Sequence, residues 1–243
     1  MSDTSERPDA GPANDPFLSL KSGSTEIYLI RHADALPGAE EVSAGGYDDQ
    51  ALSELGRRQA EALAERLRQV SLAAVYSSPI GRAQQTAASV AAPHGLEVGV
   101  APDLREVGLG PIGPEAAGTL TPEELAGMLR SRLREIAIIA VTTGRWSSIP
   151  GSEPSTALRS RLVAVLDRIA TAHPGQRVAV VSHAGAINAY LAAVLGLEQD
   201  YFFPTANTSI SVVRVNGSRR MLLSLNDIGH LLATNLFTPD AAS

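Results

Sequence analysis

The chain has 243 residues, a formal net charge of −6 and 44% apolar residues, which allows one large domain or two small ones. The acidic balance excludes an extended nucleic-acid-binding surface, and no stretch reaches the ~18 apolar residues of a membrane span. The chain contains no cysteine and a single lysine, Lys21, which excludes thiolate nucleophiles, Cys–zinc sites and a P-loop. We therefore expect a cytoplasmic protein without nucleic-acid or membrane partners.

The N-terminal end differs in composition from the rest of the chain. Residues 1–24 are polar and rich in proline and aspartate, and they lack the basic segment followed by an apolar segment that marks a signal peptide. We predict a disordered tail over residues 1–24 and a single domain over residues 25–236.

The first half of the domain alternates predicted strands and helices. Apolar, β-rich runs predict strands at 25–30, 73–76 and 96–100. Ser53 is a predicted helix N-cap, and Pro79 suits the first position of a second helix, which we expect to run to about His94 and to end at Gly95. This alternation is typical of a parallel sheet with helices on both faces.

The middle of the chain, at about residues 108–151, predicts a helical insert. Thr121 has the features of a helix N-cap, and we expect that helix to continue to about residue 141. The loop that follows holds the only tryptophan, Trp146. We expect the insert to cover the sheet like a lid, before a further amphipathic helix over 154–172.

The C-terminal third contains the strongest strand pattern, at residues 177–181, followed by a predicted helix at 184–195. Two further strands, at 209–215 and 219–225, flank Asn216-Gly217, a pair typical of a hairpin with a type I′ turn. The whole chain therefore predicts an α/β fold. It has a mostly parallel sheet with helices on both faces, a helical insert over the site and a C-terminal antiparallel hairpin.

Polar and charged side chains follow four of the predicted strands. Ligands of open α/β sheets bind at the carboxyl ends of the strands, so these side chains are candidates for one shared site. They are Arg31-His32, Ser77–Arg82, Arg105-Glu106 and Ser182-His183. Arginine matches phosphate or carboxylate oxygens, histidine is a competent nucleophile towards phosphorus, and a carboxylic acid can protonate a leaving alkoxide. The sequence shows no metal-ligand pattern, so we expect phosphoryl chemistry that needs no metal.

Four segments carry a resemblance to a known family. LIRHADA, SSPIGRAQQTA, DLREVGLG and VVSHAGAI together resemble the motifs of the histidine phosphatase superfamily, also called phosphoglycerate-mutase-like. The resemblance extends from about Thr25 to the C-terminal hairpin and is weakest in the insert.

The resemblance implies a role for each matching residue. His32 would attack phosphorus and become a phosphohistidine, while Arg31 and Arg82 would bind the phosphoryl oxygens. His183 would stabilise the transition state, and Glu106 would be the acid and later the base that activates water. The neighbouring cations should lower the pKa of His32 and keep it neutral, whereas Glu106 would need a raised pKa to be protonated for the first step.

Some residues and segments leave alternatives open. Asp34 rivals Glu106 as the proton donor, and Glu153, in a segment that matches the family only in part, receives no firm role. Mutases of the family usually carry a further arginine in the loop after the first motif, and the loop PGAEEVSAGGYDDQALS has none. The Gly-Trp/Phe-Glu-Gly segment of the family is replaced by LGPIGPEAAG. These departures favour hydrolysis over mutase activity.

We therefore predict a metal-independent phosphatase that hydrolyses a small phosphorylated metabolite and uses no cofactor. The alternatives are a phosphoglycerate-type mutase and a non-catalytic phospho-ligand-binding protein. We expect specificity to lie in the insert and in the loop 36–50. The sequence is compatible with a homodimer but does not require one.

Overall fold

A six-stranded mixed sheet lies at the centre of the protein, whose computed structural model describes residues 23–35, 51–109 and 121–238. The strands are β1 (Thr25–Arg31), β2 (Leu72–Ser77), β3 (Val98–Val100), β4 (Arg177–Ser182), β5 (Ile210–Asn216) and β6 (Arg219–Asp227). They are arranged in the order β3–β2–β4–β1–β5–β6. The first four are parallel to one another, and β5 runs antiparallel to both β1 and β6.

Helices cover both faces of this sheet. Within the described residues they are α1 (Glu54–Leu67), α2 (Gly81–Ala91), α3 (Pro122–Thr143), α4 (Ser155–Ala172), α5 (Ala184–Leu195) and α6 (Gly229–Thr234). Three short 3₁₀ helices join them, at Ala92–His94, Pro102–Leu104 and Trp146–Ser148. None of the described helices is both long and apolar enough to cross a membrane.

The central strand β4 shows why the sheet has two cores. Successive side chains of a strand point to opposite faces, and Val178 and Val180 join the core formed with α4 and α5. Ala179 and Val181 join the second core, formed with α1 and α2. All four side chains are fully buried, which explains the continuous apolar run that predicted this strand. The predicted α/β fold class is confirmed.

Local sequence signals placed several helix ends correctly. The Ser53 hydroxyl accepts a hydrogen bond from the N–H of Gly56, as an N-cap does. Thr121 and Glu124 form a reciprocal capping box at the start of α3. Gly95 has a φ of 63°, and it ends the 3₁₀ turn that extends α2.

The start of α2 differs from the prediction. The helix begins at Gly81 rather than Pro79, because Ile80 is extended, with φ −79° and ψ 134°, and its N–H donates to the Ser78 hydroxyl (3.3 Å). Arg82 is therefore the second residue of the helix instead of lying one turn into it.

The turn of the C-terminal hairpin also differs from the prediction. Asn216 belongs to β5 and pairs with Arg219, so the two residues between the strands are Gly217 and Ser218. Of these, Gly217 alone has a positive φ, 57°, whereas a type I′ turn needs a positive φ at both positions. The pattern is that of a type II′ turn.

The insert packs onto the core rather than standing apart from it. Ile136 and Ala140 of α3, together with Trp146, join the same buried cluster as α4 and α5. Residues 36–50 and 110–120 lie outside the described residues, as does the predicted tail except for Gly23 and Ser24. The predicted domain limits therefore stay predictions.

Candidate active site

His32 follows directly after β1, at the carboxyl edge of the sheet, where its backbone is fixed from two sides. Its N–H donates to the carbonyl of Ser182 at the end of β4 (3.0 Å). Its carbonyl accepts from Nδ2 of Asn207 (2.9 Å). Because β1 and β4 are adjacent and parallel, this contact also brings His183, the residue after Ser182, to the same edge.

The hydrogen bonds of the His32 ring define its tautomer. Nδ1 lies 2.8 Å from the carbonyl oxygen of Ala33, to which it can only donate. Nε2 accepts from Nε of Arg82 (3.1 Å), so Nε2 carries the lone pair. Burial, followed by the positive charges of Arg82 and Arg31, holds the pKa of His32 well below its ordinary value. The ring is therefore neutral at pH 7, with Nε2 as its nucleophilic atom.

Two arginines flank this ring. Arg82 is buried in the first turn of α2, and its carbonyl accepts from the hydroxyl of Thr86 (2.8 Å), which in turn accepts from the N–H of Ala33 (3.0 Å). Arg31, the last residue of β1, donates from Nη1 to the carbonyl of Thr205 (2.5 Å). The Arg82 guanidinium group is held by its bond to Nε2 of His32, and that of Arg31 by its bond to Thr205, so neither extends freely into solvent.

His183 occupies the N-cap position of α5 and is fully buried. Its ring centroid lies 5.1 Å from that of His32. Its Nε2 lies 2.7 Å from the hydroxyl of Ser78, while Nδ1 has no hydrogen-bond partner among the described residues. Burial, then His32, Arg82 and Arg31, lower the pKa of His183 well below its ordinary value.

Glu106 lies against the N-terminus of α5, one turn from His183. Its Oε1 accepts from the N–H groups of Val107 (2.8 Å) and Ala186 (2.9 Å), and Oε2 accepts from the N–H of Gly185 (3.2 Å). These backbone donors fix both carboxyl oxygens of Glu106 in place. The structure thus brings the carboxyl group and the two histidines to one end of the sheet.

Gly185 makes this approach possible. A Cβ atom at this position would lie 2.7 Å from Oε1 of Glu106, 2.9 Å from Cζ2 of Trp146 and 3.0 Å from Cγ1 of Val107. The first two distances are shorter than real Cβ atoms show and the third is unusually tight, so the absence of a side chain at Gly185 is a condition of this arrangement.

Arg161 of α4 is a residue that sequence reasoning missed. It donates to both carboxylate oxygens of Glu153 (2.8 and 2.7 Å). It also donates to the carbonyls of Asp103 (2.8 Å), Arg105 (2.9 Å) and Glu106 (2.9 Å). The segment that carries Glu106 is therefore held by one guanidinium group, and no local sequence pattern marks a single arginine on an amphipathic helix for this task.

Glu153, which received no firm role from the sequence, is the ionic partner of Arg161. Its backbone N–H donates to the carbonyl of Gly108 (2.6 Å) and its Oε2 accepts from the N–H of Gly108 (3.3 Å). Burial alone would raise the pKa of Glu153, but the contacts with Arg161, Gly108 and Arg105 outweigh it and lower the pKa. Glu153 is thus an ionised group that positions the segment after Glu106.

The rival acid, Asp34, has a different environment. Its Oδ2 accepts from the hydroxyl of Ser53 (2.5 Å) at the start of α1, and its carbonyl accepts from the N–H of the same residue (3.0 Å). Its N–H donates to Oε1 of Gln59 (3.0 Å). The Asp34 side chain therefore takes part in the start of α1. Across the described residues no group of three or more potential metal ligands is found.

Comparison with known proteins agrees with this geometry. The sequence profile of the histidine phosphatase superfamily (branch 1) matches residues 27–228. This stretch includes both histidines, both arginines and Glu106. The chain belongs to the histidine phosphatase superfamily.

The relatives of this chain within the superfamily are named both as mutases and as phosphatases. The chain is 34% identical over 172 residues to a probable phosphoglycerate mutase, GpmB, of Yersinia pestis (strain Pestoides F), covering 71% of this chain and 75% of that protein. Among solved structures, YhfR of Bacillus stearothermophilus is similar with a TM-score of 0.67 and 25% identity, over 85% of this chain and 99% of that one. A mycobacterial glucosyl-3-phosphoglycerate phosphatase has a TM-score of 0.60 and 26% identity, over 83% and 98%. The superfamily thus includes both phosphatases and mutases among the relatives of this chain.

Proposed function

We propose that the protein is a metal-independent phosphatase that hydrolyses a small-molecule phosphomonoester through a phosphohistidine on Nε2 of His32. The observation that carries the proposal is the state of this ring. Nδ1 is engaged with the carbonyl of Ala33, Nε2 holds the lone pair, and Arg82 and Arg31 stand beside it. A neutral imidazole between two guanidinium groups is suited to attack an anionic phosphoryl group.

In the first step, Nε2 of His32 forms a bond to phosphorus as the bond between phosphorus and the ester oxygen breaks. The Arg82 Nε–H, which donates to Nε2 in the resting site, turns to the phosphoryl oxygens together with Arg31. Glu106 gives its proton to the leaving oxygen, so the alcohol departs uncharged. Asp34 is the weaker candidate for this proton, because its carboxylate lies against Ser53 at the start of α1, whereas that of Glu106 lies at the N-terminus of α5, which begins directly after His183.

His183 stabilises the charge that develops in this step. The Ser78 hydroxyl accepts from the N–H of Ile80, so its own proton is free to bond to Nε2 of His183. That arrangement places the ring proton of His183 on Nδ1, which no described residue engages. Nδ1 then donates to a phosphoryl oxygen next to His32.

In the second step, water attacks the phosphohistidine. Glu106, now ionised, takes a proton from the water as the new bond between oxygen and phosphorus forms. The bond from phosphorus to Nε2 breaks, orthophosphate is released, and His32 returns to its original state. No step requires a metal ion or a cofactor, and the substrate is a small phosphorylated metabolite in the cytoplasm.

A mutase is the second candidate, because the GpmB relative carries that name. Such an enzyme would return the phosphoryl group from His32 to another hydroxyl instead of to water. The loop after β1 contains no arginine that could bind the carboxylate of a phosphosugar acid. A protein that binds phospho-ligands without catalysis is less well supported, since binding alone does not need the unprotonated Nε2.

A trapping experiment tests the proposal. The protein is mixed with ³²P-labelled phenyl phosphate, quenched within milliseconds and analysed for label that is stable to base and released by acid, as phosphohistidine is. We expect the label on the wild type and on the control His94→Ala, none on His32→Ala, and no effect of EDTA on turnover. Base-stable label on His32→Ala, or turnover abolished by EDTA, contradicts the proposal.

Product analysis separates the phosphatase from the mutase. The protein is incubated with 3-phosphoglycerate and a trace of the bisphosphate, and both orthophosphate and 2-phosphoglycerate are measured. We expect orthophosphate release from phosphomonoesters and no isomerisation. Isomerisation without net phosphate release would reverse the order of the two candidates.

A further inference from the structure

The segment between α5 and β5 is held firmly beside the phosphoryl pocket. Nδ2 of Asn188, buried in α5, donates to the carbonyl of Phe203 (3.0 Å) and to the hydroxyl of Thr205 (2.8 Å). Its Oδ1 accepts from the N–H groups of Phe202 (3.0 Å) and Phe203 (3.3 Å). Thr205 in turn accepts from Arg31 through its carbonyl. The segment is therefore fixed relative to one of the two phosphoryl-binding arginines.

Tyr201 is the residue of this segment that stands on the same side of the site as the acid. Its N–H donates to the carbonyl of Gly144 (3.0 Å), and its ring meets that of Trp146 edge to face, with centroids 5.6 Å apart. Trp146 and the Glu106 carboxylate both crowd the space above Gly185. Tyr201 is thus joined to Glu106 through one buried indole ring.

The electrostatics of Tyr201 agree with this position. Burial raises the pKa of its phenol above the ordinary value, the positive charge of Arg31 acts in the opposite direction, and the negative charge of Glu106 raises the pKa further. The charges of Arg31 and Glu106, which the proposed mechanism places at the phosphoryl group and the leaving oxygen, therefore both act on this phenol.

Packing alone does not account for a tyrosine here. The contact with Trp146 involves only the ring, and a phenylalanine would make it equally well. Tyr201 is half-buried, and within the described parts of the chain its hydroxyl has no hydrogen-bond partner. Half-buried phenols without a protein partner are typical of ligand-binding surfaces, where one end of the side chain is apolar and the other polar.

We propose that Tyr201, supported by Trp146, is the wall of a leaving-group subsite that prefers phosphomonoesters whose ester oxygen is attached to a ring. The inference rests on the proposed function, because protonation by Glu106 requires the leaving group to lie on the side where Tyr201 stands. An aromatic ring, or the C–H face of a sugar ring, covers the apolar face of Tyr201, and the hydroxyl bonds to a substituent of that ring. A short acyclic leaving group reaches neither the apolar face nor the hydroxyl of Tyr201.

Paired substrates test this subsite. Values of kcat/KM are measured for phenyl phosphate, glucose 1-phosphate and acyclic ethyl phosphate with the wild type, Tyr201→Ala and Tyr201→Phe. Loss of one ring contact is worth about tenfold in affinity. We expect Tyr201→Ala to lower kcat/KM about tenfold for both ring esters, with less than a twofold effect on ethyl phosphate. Tyr201→Phe should keep its kcat/KM for phenyl phosphate and lose kcat/KM only for the sugar ester, glucose 1-phosphate.

Two controls separate the subsite from damage to the fold or to the pocket. Inhibition by orthophosphate, which reports the phosphoryl pocket alone, should be unchanged in both variants. Tyr76→Ala removes a half-buried tyrosine that packs on His173 instead, and it should not change the ratio of ring to acyclic ester. Equal losses for all three esters in Tyr201→Ala would overturn the proposal.

Failure of the proposed function is distinguishable from failure of this inference. Binding of the same three esters to His32→Ala, and to His32→Ala combined with Tyr201→Ala, is measured by calorimetry, which needs no turnover. A selective loss of affinity for the ring esters supports the subsite even in a protein that hydrolyses none of them. An equal affinity of the two proteins for phenyl phosphate rejects it.

Discussion

The substitution Gly185→Ala adds one methyl group at the point where Glu106 meets helix α5. The new Cβ would lie 2.7 Å from Oε1 of Glu106, against a normal C···O contact of about 3.3 Å. It would also lie 2.9 Å from Trp146 and 3.0 Å from Val107, against C···C contacts of about 3.5 Å or more. The helix cannot move away alone, because the N–H groups of Gly185 and Ala186 bond to the same carboxylate.

The magnitude follows from two opposing terms. Overpacking of this kind costs about 1–3 kcal/mol, and the helix preference of alanine over glycine returns about 1 kcal/mol. We expect a net loss of about 0–2 kcal/mol in the free energy of unfolding. Glu106 is the group that must give way, and a displacement near 1 Å costs about a hundredfold in rate. The loss of kcat/KM should therefore be large while the loss in the free energy of unfolding stays small.

Urea denaturation and kcat/KM for phenyl phosphate measure the two effects. Ala192→Gly is the matched control, since Ala192 is buried in the same helix and its replacement destabilises α5 without approaching Glu106. We expect the control to lose a similar free energy of unfolding and to keep its kcat/KM within about threefold, on the same reasoning. A Gly185→Ala protein as stable and as active as the wild type would refute the description of this contact.

Three further predictions concern other parts of the site and fold. Arg161→Lys should lower the free energy of unfolding by about 2 kcal/mol or more and reduce kcat more than it changes KM. Arg168→Lys, at an exposed position of the same helix, should do neither. Ser78→Ala, which removes the partner of Nε2 of His183, should lower kcat/KM about tenfold and weaken orthophosphate inhibition. Ser77→Ala removes a hydroxyl that, among the described residues, bonds to the carbonyl of Ser78 alone, and it should retain that inhibition. Burial lowers the pKa of His230 to about 4, below the value of about 6.5 for an unfolded histidine. The unfolded state therefore binds more protons, so stability is full above pH ~6.5 and declines as the pH falls towards 4. In His230→Gln the free energy of unfolding, measured by urea denaturation, should depend less on pH in that window, with a slope smaller by up to about 1.4 kcal/mol per pH unit. An unchanged slope would show that this histidine is not buried in its neutral form.

Local patterns predicted most of the elements because the information that defines them is local. Strand β4 is recognisable as a run of apolar residues buried on both sides, and the capping box of Thr121 is complete within four residues. The start of α2 and the hairpin turn were misplaced because each depends on one backbone conformation, that of Ile80 and that of Gly217. Neither conformation follows from residue type alone.

The sequence by itself determined the fold class and the residues that meet at the carboxyl edge of the sheet. Parallel strands end at a common edge, so polar residues placed just after them are brought together by topology alone. His32 and His183 follow this rule directly.

Only the tertiary structure decided how these residues are held. It showed that the two candidate acids have different surroundings. Glu106 lies at the N-terminus of α5, whereas Asp34 takes part in the start of α1. It also placed Arg161 against the segment that carries Glu106, and the ring of Tyr201 against Trp146. These assignments depend on side-chain directions and on contacts between residues 19 to 80 positions apart. No pattern along the chain records such contacts.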